Sequence, residues 1–277
     1  MPISKFRSVD PLIIAWARNM RARGLAERTV MEQPATVDRI AHDIGVAPRD
    51  MTTVQLEAWF ARKHLSPGSR ATYRVALRAW FTYLDLADLR SDDPTRRLGK
   101  VKAPKYRPRP MRTSDLIRLL NSGIRTRTRA MILLAAYQGF RVSEVAAMRG
   151  QDLRSGTLHV IGKGGREDWL PVHPAIVAEA KRRPQIGWWF PSYALPGESV
   201  RGKSVSRVIS DAMSRCGVPG TPHALRHWYG SSLRRAGVDL RVVQELMRHS
   251  SLATTALYMD VDDDEKRDAL YLLPNVA

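Results

Sequence analysis

Apolar positions recur at steps of three and four through the first hundred residues, a spacing that lines them along one face of a helix. The clearest set is Tyr73, Ala76, Leu77, Trp80, Phe81 and Leu84. It follows Ser66-Pro67, a capping hydroxyl and then a proline, the combination that starts a helix. Leu56, Trp59 and Phe60 form a stripe one segment earlier, Val37, Ile40, Ala41 and Ile44 form another, and Leu12, Ile13 and Trp16 begin the first. The pattern predicts four helices whose aromatic residues pack a core. The intervening Arg62, Lys63, Arg70, Arg74 and Arg78 are left for solvent or phosphate.

The periodicity stops at LGKVKAPKYRPRPMRTSD, where Pro104, Pro108 and Pro110 stand among basic residues. Proline at that density cannot continue a helix. An extended basic linker over residues 98–111 is predicted, between an N-terminal helical domain (8–97) and a second domain (112–277). A helical pattern resumes at Ser114 with Leu116, Ile117, Leu119 and Leu120, and the apolar AMILLAAYQGF follows and ends at Gly139. TLHVI (157–161) and EDWLPV (167–172) alternate as short strands, and Gly162-Lys163-Gly164-Gly165 joins them as a hairpin turn. The remainder is mostly helical, interrupted by Gly/Pro-rich stretches near 184–203 and 217–222. The expected fold class is therefore mainly α: a four-helix domain, then an α+β domain with a small antiparallel sheet.

Composition narrows the partners. The 277 residues are 44% hydrophobic, enough for two packed cores, and carry a formal net charge of +18. A polyanion would relieve that charge, nucleic acid first and an anionic membrane surface second. The membrane reading is weak, because no long uncharged apolar run of spanning length occurs. Arg18, Arg21 and Arg23 interrupt the N-terminal stretch, which does not resemble a signal peptide. Cys216 is the sole cysteine, so an intrachain disulfide and a cysteine-rich zinc site are excluded and a cytoplasmic setting is expected.

Four short elements hold the candidate chemistry. QGFRVSE places Arg141 and Glu144 at a helix start after a glycine. Lys163 sits on the hairpin tip, in a turn that lacks the spacing of a nucleotide-binding loop. TPHALRH sets His223 and Arg226 three apart, hence on one helix face. MRHSSLATTALYMD has His249 followed nine residues later by Tyr258. Taken singly, each has an ordinary structural explanation. Together they supply what metal-free phosphodiester cleavage requires. Guanidinium groups stabilise the non-bridging oxygens, a nucleophile attacks in line, and a lysine or histidine protonates the leaving alkoxide. No acidic cluster of the two-metal kind is evident, and Asp260, Asp262, Asp263, Asp264 and Glu265 read as a helix cap or solvated turn. No metal and no cofactor are expected.

The order Arg…Lys…H-x-x-R…His…Tyr resembles the tyrosine recombinase, or phage integrase, family. HALRHWYGSSLRRAGVDLRVVQELMRHSSLATTALYMDV is similar to the family's most diagnostic block along its whole length, and LSPGSRATYRVALRAWFTYL resembles its SAM-like core-binding domain. The resemblance implies that Arg141 and Arg226 clamp the scissile phosphate and that Lys163 protonates the leaving 5′ oxygen. It implies that His223 assists proton transfer with Tyr258, that His249 hydrogen-bonds the phosphate, and that Glu144 braces the arginine and histidine. Tyr258 would form a 3′-phosphotyrosyl link, which conserves the bond's energy and needs no ATP. The two domains would bind opposite faces of double-stranded DNA at core attachment sites. Lys63, Arg70, Arg74 and Arg78 would contact DNA from the first domain, and Lys102, Lys105 and Arg107 from the linker. The family also implies a monomer in solution that assembles as a homotetramer on two duplexes, with a possible directionality factor, in a nucleoid-associated cytoplasmic setting. The apolar tail DALYLLPNVA docks on a neighbouring subunit or folds back on its own domain; the sequence leaves both open.

Two departures stand out. Many relatives have glycine where this chain has Arg248, and the first motif often reads T-G-x-R where this chain has Gln138-Gly139-Phe140-Arg141. Neither is expected to touch a proposed catalytic group. The chain also begins almost directly with the helical domain, whereas many phage integrases carry a further arm-binding domain, so accessory-site binding is not expected. Integration at attachment sites is the favoured role. Resolution of chromosome or plasmid dimers by a Xer-like enzyme uses the same chemistry. A type IB topoisomerase fits less well, and a non-catalytic DNA-binding regulator would not need every catalytic position filled.

Overall fold

The structure is a computed structural model that describes residues 10–62, 64–99, 110–162 and 165–248. The chain forms two compact units, residues 1–106 and 107–277.

In the first unit the described residues form four α-helices: α1 (Pro11–Ala22), α2 (Glu27–Ile44), α3 (Thr53–Phe60) and α4 (Pro67–Leu86). Three of the four starts have a side-chain cap. Asp10 accepts from the amides of Leu12 and Ile13 at 2.9 and 3.1 Å, Thr52 and Gln55 form a capping box, and Ser66 accepts from Ser69 N at 3.1 Å. The aromatic stripes meet as expected: the rings of Trp16 and Trp80 lie 5.3 Å apart and those of Trp80 and Tyr83 5.8 Å apart. Their polar edges are satisfied, since Trp80 Nε1 donates to the Pro48 carbonyl at 3.0 Å and Trp59 Nε1 to Asp43 at 3.1 Å.

Of the basic residues assigned to DNA in this unit, Arg70 is spent on structure. Its Nε donates to Leu65 O at 3.0 Å and Nη2 to Arg62 O at 2.9 Å, while Nη1 meets Phe60 O, so it ties off the connection between α3 and α4. Arg74 donates to the Gly99 carbonyl, and Arg78 is exposed on the same face of α4. Lys63, Lys102, Lys105 and Arg107 lie outside the described residues.

The second unit is built around α6 (Thr126–Tyr137), in which every residue from Ala130 to Ala136 is buried. A helix apolar on all sides belongs at the centre of a core. Around it pack α7 (Val142–Ala146), α8 (Pro174–Ala180), α9 (Gly202–Arg215) and α10 (His223–Arg235), with α5 (Thr113–Asn121) before it and α11 (Leu240–Met247) after. The sheet has three antiparallel strands in the order β1 (Leu153–Arg154), β2 (Thr157–Ile161) and β3 (Glu167–Pro171). Leu158 faces Leu170 across the β2–β3 pair and Leu153 across the β1–β2 pair, on the buried side. β2 and β3 match the two predicted strands. The sequence reading did not identify β1: two residues are too few to alternate, and its turn is signalled only by Ser155-Gly156, both with positive φ. At the other end of β2, Gly162 N donates to Arg166 O at 2.7 Å across the hairpin turn; Lys163 lies outside the described residues.

Candidate active site

The site forms where α6 ends and α7 begins, against α10 and the end of α11. α6 stops at Gln138, whose buried side chain donates to Pro171 O at 2.7 Å and accepts from His173 N at 3.3 Å. That departure from the common motif therefore links the helix end to β3. Gly139 follows at φ +64°, and a Cβ there would meet the Tyr229 ring at 2.6 Å. Only glycine permits both the backbone turn and the close approach.

The turn delivers Arg141 to the N-terminus of α7. Glu144, three residues on, reaches back: its Oε2 accepts from Arg141 N at 2.7 Å and its Oε1 from Arg141 Nη1 at 2.9 Å. α9 holds α7 from outside, where Gly202 lies so close to Ser143 that a Cβ would come within 3.1 Å of its Cα. α10 starts at His223 and carries Arg226 one turn later, on the same face. Arg226 is nearly completely buried; its Nη1 donates to Gly139 O, its Nη2 to Met247 O, and it lies 3.9 Å from Glu144 Oε2. The side chain of Arg141 is 37% exposed and that of Arg226 2%. Arg141 is thus open to a ligand, while Arg226 is locked by backbone carbonyls on two other elements.

His223 is exposed at the edge of this group, yet its imidazole pKa is pushed below the ordinary value. Partial burial is the main cause, followed by the positive charges of Arg226 and Arg141. The folded state therefore favours neutral His223 at neutral pH, where a ring nitrogen can accept a proton. Because the unfolded chain binds that proton more readily, this histidine opposes folding increasingly as pH falls below about 6.5. Its ring meets His227 edge-on at 4.3 Å.

Sequence reasoning missed two residues here. Arg248 is the first: its Nη2 donates to Glu144 Oε2 at 2.7 Å, with both side chains buried. This departure thus reaches the bracing carboxylate Glu144 and, through it, the surroundings of Arg141. The C-terminus of α11 returns to α7 in space, 104 residues away in sequence, and no local pattern reports that. The glycine-to-arginine departure was the available signal. Tyr229 is the second. Burial, partly offset by the charges of Arg248 and Arg226, raises its hydroxyl pKa, so it stays protonated while its ring packs on Gly139. His249 and Tyr258 lie outside the described residues.

The described residues thus bring together Arg141, Glu144, His223 and Arg226, a cationic group carrying one buried carboxylate and a histidine held neutral. Two guanidinium groups positioned by separate helices suit the oxyanions of a phosphodiester. No group of metal-ligating side chains occurs among the described residues, and no described helix is long and apolar enough to cross a membrane.

Comparison with known proteins agrees. The phage integrase family model matches residues 109–265. Tyrosine recombinase XerD of Caulobacter vibrioides is 31% identical over 251 residues, covering 81% of each chain. The integrase from mycobacterium phage Brujita is 42% identical, with 96% of this chain and 93% of that one covered and a TM-score of 0.52. A lambda integrase dimer bound to a COC′ core site shares the fold, with a TM-score of 0.71 at 17% identity over 92% of this chain and 77% of that one. This chain belongs to the phage integrase family. It is a tyrosine recombinase of the integrase/Xer type, an enzyme that cleaves and rejoins DNA strands.

Proposed function

We propose that this enzyme is a phage or prophage integrase that recombines DNA at core attachment sites through a 3′-phosphotyrosyl intermediate at Tyr258. The observation that carries the reading is the convergence of Arg141 and Arg226 on Glu144 beside His223. In this scheme the two arginines hold the non-bridging oxygens of the scissile phosphate, and His249 adds a hydrogen bond. Tyr258 Oη attacks phosphorus, its proton passing by way of His223, and the P–O5′ bond breaks as Lys163 protonates the leaving oxygen. Religation reverses these transfers with the 5′ hydroxyl of the partner strand, so no ATP, metal or cofactor is consumed. A free tyrosine has a pKa of about 10, and the cationic pocket favours its phenolate.

The 96% coverage and 42% identity with a phage integrase support the integration role. The XerD relative supports a second reading, resolution of chromosome or plasmid dimers. On either reading the first unit, residues 1–106, is the core-binding domain and the second is catalytic. Assembly as a tetramer on two duplexes, with the C-terminal tail docked in cis or in trans, belongs to the same proposal.

A nicked suicide duplex carrying the candidate core site tests the chemistry. Wild-type protein should form a covalent adduct stable on a denaturing gel, and Tyr258→Phe should form none. If wild type binds a verified site but forms no adduct, the catalytic reading fails and a DNA-binding regulator replaces it. Cleavage of an attachment site in preference to a dimer-resolution site separates the two biological roles.

A further inference from the structure

Arg248 closes α11 in the left-handed region, at φ +53° and ψ +49°. Glycine occupies that region freely and an arginine does not, so the position holds a side chain against its backbone preference. The side chain then turns inward until 3% of it is exposed. Its guanidinium lies 5.1 Å from the Phe140 ring centroid, and Nη2 donates to Glu144. Nε and Nη1 are buried with no hydrogen-bond partner among the described residues. A buried cation with unmatched donors is a poor device for stabilising a fold. It is an effective device for setting the field in a site.

Glu144 is what this field acts through. It accepts from the main chain and side chain of Arg141 and from Arg248, and lies 3.9 Å from Arg226. Three guanidiniums facing one carboxylate leave surplus positive charge. Arg226 also donates to Met247 O, so the residue before Arg248 is held by the same network. We propose that Arg248 is a positioning residue of the active site: by holding Glu144 it fixes Arg141 and Arg226 for the phosphate, and its charge strengthens the pull on anionic oxygens. The proposal rests on the recombinase reading of this pocket. The charged and titratable groups that meet it are Glu144 on α7 and Tyr229 on α10; Arg141 and Arg226 share the same carboxylate, and His223 lies beyond them, in the field of those two arginines.

The test uses the full chain with Arg248→Gly, Arg248→Met and Arg248→Lys, in single-turnover cleavage of the nicked core site across the pH range. Gly and Met should cleave about tenfold or more slowly at neutral pH, with DNA affinity within about twofold of wild type. Their rate profile should move to higher pH, because the pocket loses a buried cation. Lys should restore the profile and part of the rate. A wild-type profile in Arg248→Gly overturns the proposal. So does a rate loss that tracks lowered thermal stability in all three variants with the profile unmoved, since that marks a structural role alone. If wild type forms no adduct, the recombinase reading is what has failed, and tyrosine NMR titration of the DNA-free chain still decides the electrostatic claim. A Tyr229 pKa raised further in Arg248→Gly upholds it, since the charge of Arg248 lowers that pKa in the folded chain; an unchanged value overturns it.

Discussion

Gly139 shows how much one residue settles in this site. Its positive φ ends α6 and re-aims the chain so that Arg141 can start α7, its missing side chain admits the Tyr229 ring, and its carbonyl receives Arg226. Gly139→Ala would force an L side chain into a left-handed conformation and push it into that ring. A destabilisation of about 2 kcal/mol or more is expected, visible as a drop of several degrees in the thermal midpoint. The loss of cleavage should exceed what reduced folding explains, because the carbonyl that locks Arg226 moves with the backbone. An alanine variant with wild-type stability and rate would show that the glycine is dispensable. Glu144 illustrates the complementary case. A carboxylate buried among arginines stands against a general preference for surface exposure, and its satisfied hydrogen bonds are what make it tolerable.

At the scale of elements, helix starts are set locally and helix neighbours are not. α4 begins where a hydroxyl and a proline meet, and the cap is a single bond from Ser69 N to Ser66 Oγ. Ser66→Ala should therefore cost about 1 kcal/mol, read as a lower urea midpoint with unchanged slope. A midpoint equal to wild type would mean that the proline alone fixes the start. α7, at five residues, has no stability of its own. It persists because Glu144 caps its first turn at Arg141 N, α6 feeds it through Gly139, and α9 presses on it at Gly202. The two arginines are thus presented by one helix that is marginal and one that is well anchored, so that Arg141 is the more exposed arm of the proposed clamp and Arg226 the more rigidly held one.

For the whole molecule the dominant quantity is the net charge of +18. Some of the basic side chains are already committed: Arg70 and Arg74 to backbone carbonyls, Arg226 and Arg248 to Glu144 and its surroundings. Exposed residues such as Arg78 remain for the phosphate backbone. Each phosphate contact contributes about −0.9 to the slope of log affinity against log salt, so a slope of about −4 or steeper is expected for duplex binding. A slope near zero would remove phosphate contact as the source of affinity.

The sequence by itself determined many of the elements, the family and a set of chemically apt residues. Periodicity reports which face of a helix is apolar, and the four helices of the first unit and the β2–β3 hairpin follow from it together with capping and turn residues, while the α6 core helix shows as a continuous apolar run. A pair within one element was equally legible: His223 and Arg226 share a face because three residues make nearly one turn. Tertiary structure alone decided which distant groups meet. Arg70 looked free on a helix face and proves bound to three carbonyls. Arg248 looked remote from the chemistry and proves bonded to Glu144, because α11 folds back onto α7. Hydrophobic period and capping act over a few residues and are written locally in the chain, whereas a buried ion network is set by how helices pack, and its members carry no mark of one another in the sequence.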